Sequence, residues 1–323
     1  MAKPPLLQVD DLRAYLYTHD GVVRAVDGVT FSVNEGETLG LVGESGCGKS
    51  MTCLAIIRTL PPPGGRIVTG RVLFQGADLV GKSEAEMRSY RGRQISMILQ
   101  DPNTSLNPVL TIGKQVAEPL SWHQKAQGKD LRHRVIEALR QVKIPAPEVR
   151  LGDYPHQMSG GMRQRVVGAA ALACEPHLLL ADEPTTALDA TVQAQYLELL
   201  KDIQRQSNLA IIFVTHDFGI VAHMCDRVAV MYAGKIVETA PVKALFRQPS
   251  HPYTIALLNS VPSLEEKVKR LYSIEGEPPP VDQVIPGCSF APRCSYRHDP
   301  CDREYPPNVS LGDGRYASCW KLA

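Results

Sequence analysis

Residues 38–50 read TLGLVGESGCGKS, and this stretch decides the fold. Thr38 to Val42 is an apolar run of strand length, and Gly43 to Ser50 is a glycine-rich loop. A helical pattern follows from about Ser50 to Leu60, until Pro61-Pro62-Pro63-Gly64-Gly65 stops it. Glycine, four residues, then Gly48, Lys49 and Ser50 is the spacing of a phosphate-binding loop, here in its required context between strand and helix. The glycines let the chain curl so that successive N–H groups converge on phosphate oxygens, and the helix start adds its positive end. Gly43, Ser45, Gly46 and Cys47 are therefore candidate binding residues through their backbone, and Gly48, Lys49, Ser50 and Met51 complete the set. Lys49 can neutralise the terminal phosphates, and Ser50 can ligate Mg²⁺.

Other strand ends carry compatible chemistry. HLLLADE delivers Asp182 and Glu183 to one edge, a carboxylate suited to Mg²⁺ and a second suited to activating water. ISMIL (95–99) runs into Gln100, and AIIFVT (210–215) into His216. Either residue alone would be an ordinary polar strand end; together with the loop and the carboxylates they describe a nucleotide hydrolase. Extended segments fill Leu6 to Val33, with turns expected at His19-Asp20-Gly21 and near Asp27-Gly28, and another spans Gly70 to Phe74. Helical periodicity dominates from about 101 to 173, as in Leu131 to Val142, and returns at Ala190 to Gln206. Val228 to Tyr232 and Lys235 to Thr239 flank Ala233-Gly234 as a hairpin. Such alternation predicts an α/β fold, a mostly parallel sheet covered on both faces, with ligands at the carboxyl ends of its strands.

Composition narrows the class. The 323 residues are 44% hydrophobic and 21% charged, ordinary for a well-filled core, and long enough for one large domain and a smaller one. Lys and Arg number 35 against 34 Asp and Glu, a formal net charge of +1. That balance argues against a dedicated nucleic-acid binder and gives no long-range attraction to an anionic membrane. No apolar run approaches the ~20 residues of a membrane-spanning helix, and acidic residues arrive too early for a secretory segment. A reducing, cytoplasmic setting is expected.

MSGGMRQR (158–165) introduces an Ala-rich helix. Ser159 reads as its cap, while Gly160 and Gly161 leave the first N–H groups bare, so the stretch is either a plain cap or a second anion site. Here the chain resembles the ATP-binding subunits of ABC transporters, in the order and spacing of its motifs across residues 6 to about 240. GESGCGKS resembles the Walker A loop, LLLADE the Walker B strand, Gln100 the Q-loop residue, TTALD (185–189) the D-loop, and His216 the H-loop switch. MSGGM is similar to the signature written LSGGQ; Met158 and Met162 depart from it, outside the Ser-Gly-Gly that faces phosphate.

The resemblance implies an α/β P-loop NTPase fold with a RecA-like core, an antiparallel β subdomain and a helical subdomain at about 101–173, together forming residues 1–240. It implies Glu183 as catalytic base, assisted by Gln100 and His216, with Ser50, Gln100 and Asp182 around Mg²⁺. It also implies a head-to-tail dimer in which Ser159, Gly160, Gly161 and Asp189 complete the partner's ATP site. An aromatic residue near the N-terminus normally stacks on adenine in this family; Tyr17 is the first choice and Tyr15 the second.

DPNTSLNP after Gln100 resembles the form found in importers of peptides and nickel, while HPYTIALLNSVP (251–262) and CSFAPRCSYRHDPC (288–301) resemble the tail of the oligopeptide and dipeptide importer ATPases, so the resemblance implies ATP-driven import of di- or oligopeptides. The implied partners are two permease subunits, a second ATPase that is a paralogue rather than a copy, and an extracytoplasmic solute-binding protein. The chain would then sit peripherally on the cytoplasmic side of the inner membrane. Importers of nickel, metallophores or oligosaccharides, and a soluble ABC ATPase acting on nucleic acid or ribosomes, are the competing readings.

Residues 241–323 are expected to form a C-terminal extension. Cys288, Cys294, Cys301 and Cys319 crowd its end, spaced C-x5-C-x6-C-x17-C. That is wider than common zinc pairs and unlike the common ferredoxin patterns, so spacing alone leaves the metal open and four packed thiols as the alternative. Resemblance to family members that hold a [4Fe–4S] cluster in this tail points to iron–sulfur.

Overall fold

The computed structural model describes residues 4–261, 272–280 and 282–323. Pro262, the last residue of the importer-like stretch, lies outside them. Strands form at β1 (Leu7–Thr18), β2 (Gly21–Val33), β3 (Thr38–Val42), β4 (Gly65–Phe74), β5 (Ala77–Asp78) and β6 (Ile95–Ile98). They continue with β7 (Leu178–Asp182), β8 (Ala210–Thr215), β9 (Arg227–Tyr232), β10 (Lys235–Pro241), β11 (Asn308–Gly312) and β12 (Arg315–Ser318). The helices are α1 (Lys49–Ile56), α2 (Glu84–Tyr90), α3 (Pro102–Ser105), α4 (Ile112–Gln124), α5 (Gly128–Gln141) and α6 (Pro147–Arg150). After them come α7 (Gly160–Leu172), α8 (Ala190–Ser207), α9 (Phe218–Met224), α10 (Val242–Arg247), α11 (Pro252–Asn259) and α12 (Pro300–Arg303).

By compactness the described residues divide into two units. The first takes those within Met1–Val33, Thr38–Val80 and Val214–Ala323. One of its sheets, β2-β1-β4-β5, is antiparallel throughout. The other runs β11-β12-β10-β9-β3, antiparallel except for the β9–β3 pair. The expectation of a mostly parallel sheet is therefore corrected here. Tight turns at Ala233-Gly234 and Asp313-Gly314, all with positive φ, can join only antiparallel neighbours. The C-terminal segment is part of this unit: β12 pairs with β10, and Phe290 packs among Val228, Val230, Tyr232 and Tyr253 in one buried cluster.

Two local expectations also change. No turn forms at Asp27-Gly28; β2 runs through it, Gly28 has φ +83, and the pairing with β1 shifts register nearby, so the glycine marks a bulge. Helix α1 ends at Ile56 rather than Leu60, because Arg58 turns left-handed (φ 55) and the Thr59 N–H donates to the Leu54 carbonyl.

The β2 bulge carries a half-buried carboxylate. Asp27 accepts from the Tyr15 hydroxyl (2.8 Å), pairs with Arg13 (3.1 Å) and pairs with Lys235 (2.8 Å), with its side chain 13% exposed. Burial alone would raise its pKa; Lys235, Tyr15 and Arg13 outweigh burial and hold it below the usual carboxylate value. A depressed carboxyl contributes stability above its unfolded pKa of ~3.9 and loses that contribution as pH falls through the folded value. Asp27→Asn should therefore cost about 2 kcal/mol at pH 7, with the gap to wild type closing below about pH 4 in denaturant titrations.

The second unit takes Asn34–Glu37 and Gly81–Phe213. Its strands lie in the order β8-β7-β6, with β7 and β6 parallel, and every residue of β7 is buried. The helical stretch expected at 101–173 is built from α3 to α7. Apolar faces of α4, α5 and α7 meet through Val116, Leu120, Val135, Leu139 and Val166, all nearly or fully buried.

Candidate nucleotide site

In the first unit, buried β3 delivers the glycine loop to α1. Gly48 has φ +108, and a Cβ there would lie 2.1 Å from the Ala25 carbonyl oxygen, so only glycine fits. Gly46 has φ +80 with open space where a Cβ would stand, a cradle suited to a phosphate oxygen. Gly48 occupies the cap position of α1, and no side chain caps that helix. Lys49 is 5% exposed, and its Nζ donates to the carbonyls of Gly43 (2.8 Å) and Glu44 (2.9 Å). Ser45 is exposed, while Ser50 and Met51 are half-buried at the helix start. Cys47 is buried; burial raises its thiol pKa, and its carbonyl accepts from the Gly234 N–H.

The two candidate adenine-stacking tyrosines are distinguished by their surroundings. Tyr15 is tied through its hydroxyl to Asp27, whereas the Tyr17 ring is 46% exposed with Arg66 5.5 Å from its centroid. His216 is exposed at the end of β8, just before Asp217 caps α9.

A residue that the sequence did not single out anchors the loop. The Glu44 carboxylate accepts two bonds from Arg293 (2.7 and 3.0 Å), and its N–H donates to the Tyr253 hydroxyl (2.9 Å). These partners are more than 200 residues away, and no local pattern could have announced them.

In the second unit, β6 and β7 bring Gln100 to Glu183, with Gln100 Nε2 donating to Glu183 Oε2 at 3.0 Å. The Thr186 hydroxyl donates to the same oxygen at 3.0 Å; this residue too was not singled out. Glu183 has φ 45, a left-handed conformation costing a non-glycine residue about 1–2 kcal/mol, and such strain gathers at functional positions. Asp182 closes β7 and is 6% exposed. Asp189 caps α8, accepting from the Thr191 and Val192 N–H groups at 3.1 and 3.0 Å. Ser159 caps α7, accepting from the Met162 N–H at 3.4 Å, and remains exposed. A Cβ at Gly160 would meet open space, whereas one at Gly161 would lie 2.6 Å from Val192 of α8.

The four C-terminal cysteines line one pocket with Phe290, Tyr296 and Trp320, and all are free thiols. Burial pushes Cys288 up to about 11 and also raises Cys294 and Cys319. Backbone N–H groups two residues on serve three of the sulfurs: Phe290 to Cys288, Tyr296 to Cys294, and Lys321 to Cys319. Donors aimed at sulfur suit a thiolate better than a neutral thiol. Among the described residues, however, no three His, Cys, Asp or Glu side chains are grouped to hold a metal ion. The four cysteines thus share one pocket without forming a ready ligating group.

A family profile described as ABC transporter matches residues 26–186, and one described as Oligopeptide/dipeptide transporter, C-terminal region, matches 237–301. The chain is similar to the dipeptide transport ATP-binding protein DppD of Bacillus subtilis (strain 168), 51% identical over 98% of this chain and 94% of the relative. The oligopeptide transport ATP-binding protein OppD of the same organism is 50% identical over 98% of this chain and 89% of its own. Among solved structures, the dimeric post-hydrolysis state of the ATP-binding cassette MJ0796 with ADP and Pi matches with TM-score 0.65 and 26% identity, covering 73% of this chain and 98% of that one. The cbiO1 subunit of the cbiONQ ABC transporter complex, from Clostridium perfringens, matches with TM-score 0.64 and 28% identity, covering 76% and 92%.

Proposed function

The chain belongs to the ABC transporter ATP-binding family, in the branch with the oligopeptide/dipeptide transporter C-terminal region, and from that premise we propose that it hydrolyses ATP to drive peptide import through a separate permease. One observation carries the peptide assignment. Similarity at about half of all positions extends through the C-terminal region to relatives named for dipeptide and oligopeptide transport, which sets the nickel, oligosaccharide and ribosome readings aside. Residues 1–240 act as the ATPase domain, and 241–323 as its extension.

The residue roles follow from motif and local chemistry. Backbone N–H groups of Gly43, Ser45, Gly46, Cys47, Gly48, Lys49, Ser50 and Met51 receive the phosphates, Lys49 neutralises the β- and γ-oxygens, and Tyr17 stacks on adenine because its ring is the exposed one. Glu183, oriented by Gln100 and Thr186, takes a proton from the attacking water, and His216 senses the γ-phosphate. Ser50, Gln100 and Asp182 would hold Mg²⁺. A phosphate-bound Mg²⁺ takes only a few protein oxygens, and the buried Asp182 carboxylate at the end of β7 is a hard oxygen donor of the kind it takes. When bound, the ion offsets charge on the transferred phosphoryl group. Ser159 to Gly161 and Asp189 serve a second ATPase subunit, a paralogue, in a head-to-tail pair.

Two permease subunits and an extracytoplasmic solute-binding protein complete the importer. Among the described residues no helix is long and apolar enough to cross a membrane, in keeping with peripheral attachment to the cytoplasmic face of the inner membrane. Tagged Glu183→Gln protein, captured with ATP from detergent-solubilised membranes, should retain two multi-spanning permeases and a second ATPase. Capture of ribosomal or nucleic-acid proteins alone would overturn the transport reading.

Cys288, Cys294, Cys301 and Cys319 hold a [4Fe–4S] cluster in this proposal. Four cysteines lining one pocket, with an N–H donor to the Cys294 sulfur, support this reading. The cluster would cross-link Cys301 of α12 to three loop positions. Protein isolated without oxygen should carry about four iron and four acid-labile sulfide per chain, and Cys294→Ser should lose them and melt lower. Stoichiometric zinc, or neither metal, would refute this assignment.

A further inference from the structure

We infer that Arg293 is a positioning residue of the nucleotide site: from inside the cysteine-bearing segment it fixes Glu44 of the phosphate loop, so that the order of that segment sets the affinity for ATP. The inference rests on the ATP-binding role of the loop proposed above. Glu44 is held at three points. Its carboxylate accepts the Arg293 fork, its N–H donates to Tyr253, and its carbonyl accepts from Lys49 Nζ. The third contact makes the pair more than a fastening, because the residue that Arg293 holds also helps to place the lysine that meets the phosphates.

Arg293 is itself heavily constrained. Its side chain is 4% exposed, its Nε donates to the Glu275 carbonyl at 3.1 Å, and its guanidinium lies 5.9 Å from the Tyr232 ring centroid and 6.0 Å from that of Phe290. A planar fork with this many donors fitted reads position as well as charge, which a lysine cannot reproduce. Its backbone belongs to the tight turn Ala291–Arg293, tied by Ala291 N–H to the Cys288 carbonyl and by Cys294 N–H to the Ala291 carbonyl. The turn is thus bounded by two of the four cysteines. Whatever orders Cys288 and Cys294 orders Arg293, and a polypeptide contact spanning 249 residues carries that order to the phosphate loop.

The test is an ATP titration of the full chain, with steady-state turnover measured alongside. Wild type should bind and Lys49→Ala should not; a wild type that fails to bind overturns both this inference and the ATP reading. Arg293→Met and Arg293→Lys should each raise the ATP Kd about tenfold, while kcat at saturating ATP stays within about twofold. Glu44→Gln should match them, and Glu44→Gln with Arg293→Met should be no worse than either single change, since one interaction is lost only once. Cys294→Ser should raise Kd in the wild-type background and leave it unchanged in the Arg293→Met background. If Arg293→Met does not fold, Arg293→Lys and Glu44→Gln decide by the same criteria. Unchanged Kd in those variants with normal wild-type binding, or additive losses in the double variant, would overturn the brace and leave the ATP reading standing. A Cys294→Ser effect that persists without Arg293 would overturn the route from the cysteines.

Discussion

Glu183→Gln is expected to bind ATP within about threefold of wild type and to hydrolyse it at least ~100-fold more slowly, the scale set by loss of a general base. Gln keeps the size and planar end of Glu, so the partners Gln100 and Thr186 remain in reach. Only the ability to accept a proton is removed. The affected group is the end of a strained residue, with φ 45, immediately after the fully buried strand β7. That rigid base should limit relaxation, and the defect should appear in kcat and not in nucleotide affinity. Phosphate release under saturating ATP, beside equilibrium binding, makes the comparison. Turnover near the wild-type rate would dismiss Glu183 as the base.

Gly48→Ala should abolish detectable ATP binding and destabilise the protein by about 3 kcal/mol or more. Its Cβ would stand 2.1 Å from the Ala25 carbonyl oxygen and 2.6 Å from Met231 Cε, at φ +108. The first overlap is with backbone, so no rotamer change relieves it; β2 or the loop has to move. Gly46→Ala provides the control. At φ +80 the methyl meets no protein atom, so stability should fall by only about 1 kcal/mol, although the methyl enters the space offered to phosphate. Chemical denaturation and ATP titration together separate the two. Equal stability for both variants would contradict the close approach of the loop to Ala25.

What could be read in advance was local chemistry with a fixed spacing. The loop between β3 and α1, the apolar strand ending in Asp182, and the Ala233-Gly234 hairpin are each written within a dozen residues. Misread features depended on distant partners. Asp27-Gly28 looks like a turn until β1 supplies the irregular register that makes it a bulge. Strands β11 and β12 escaped notice because they are short and half-exposed, although Gly312-Asp313-Gly314 between alternating residues was a usable hairpin signal. Glu44, Tyr253 and Arg293 meet only after the sheet has formed, and their charges and rings have no periodicity to betray them.

The pairing of β12 with β10, at Glu238 opposite Ala317 and Thr239 opposite Tyr316, has a consequence for association between molecules. A chain cut after Pro241 would leave the hydrogen-bonding edge of β10 bare, next to the apolar strand β9, and such an edge recruits strands from other molecules. In the full chain the terminal strand is β11 instead, five residues long, exposed at alternate positions and irregular near Gly312. A short, polar, broken edge is a poor template for further pairing. The C-terminal hairpin therefore acts as a sheath against aggregation, a service it would render even to a protein that never met ATP.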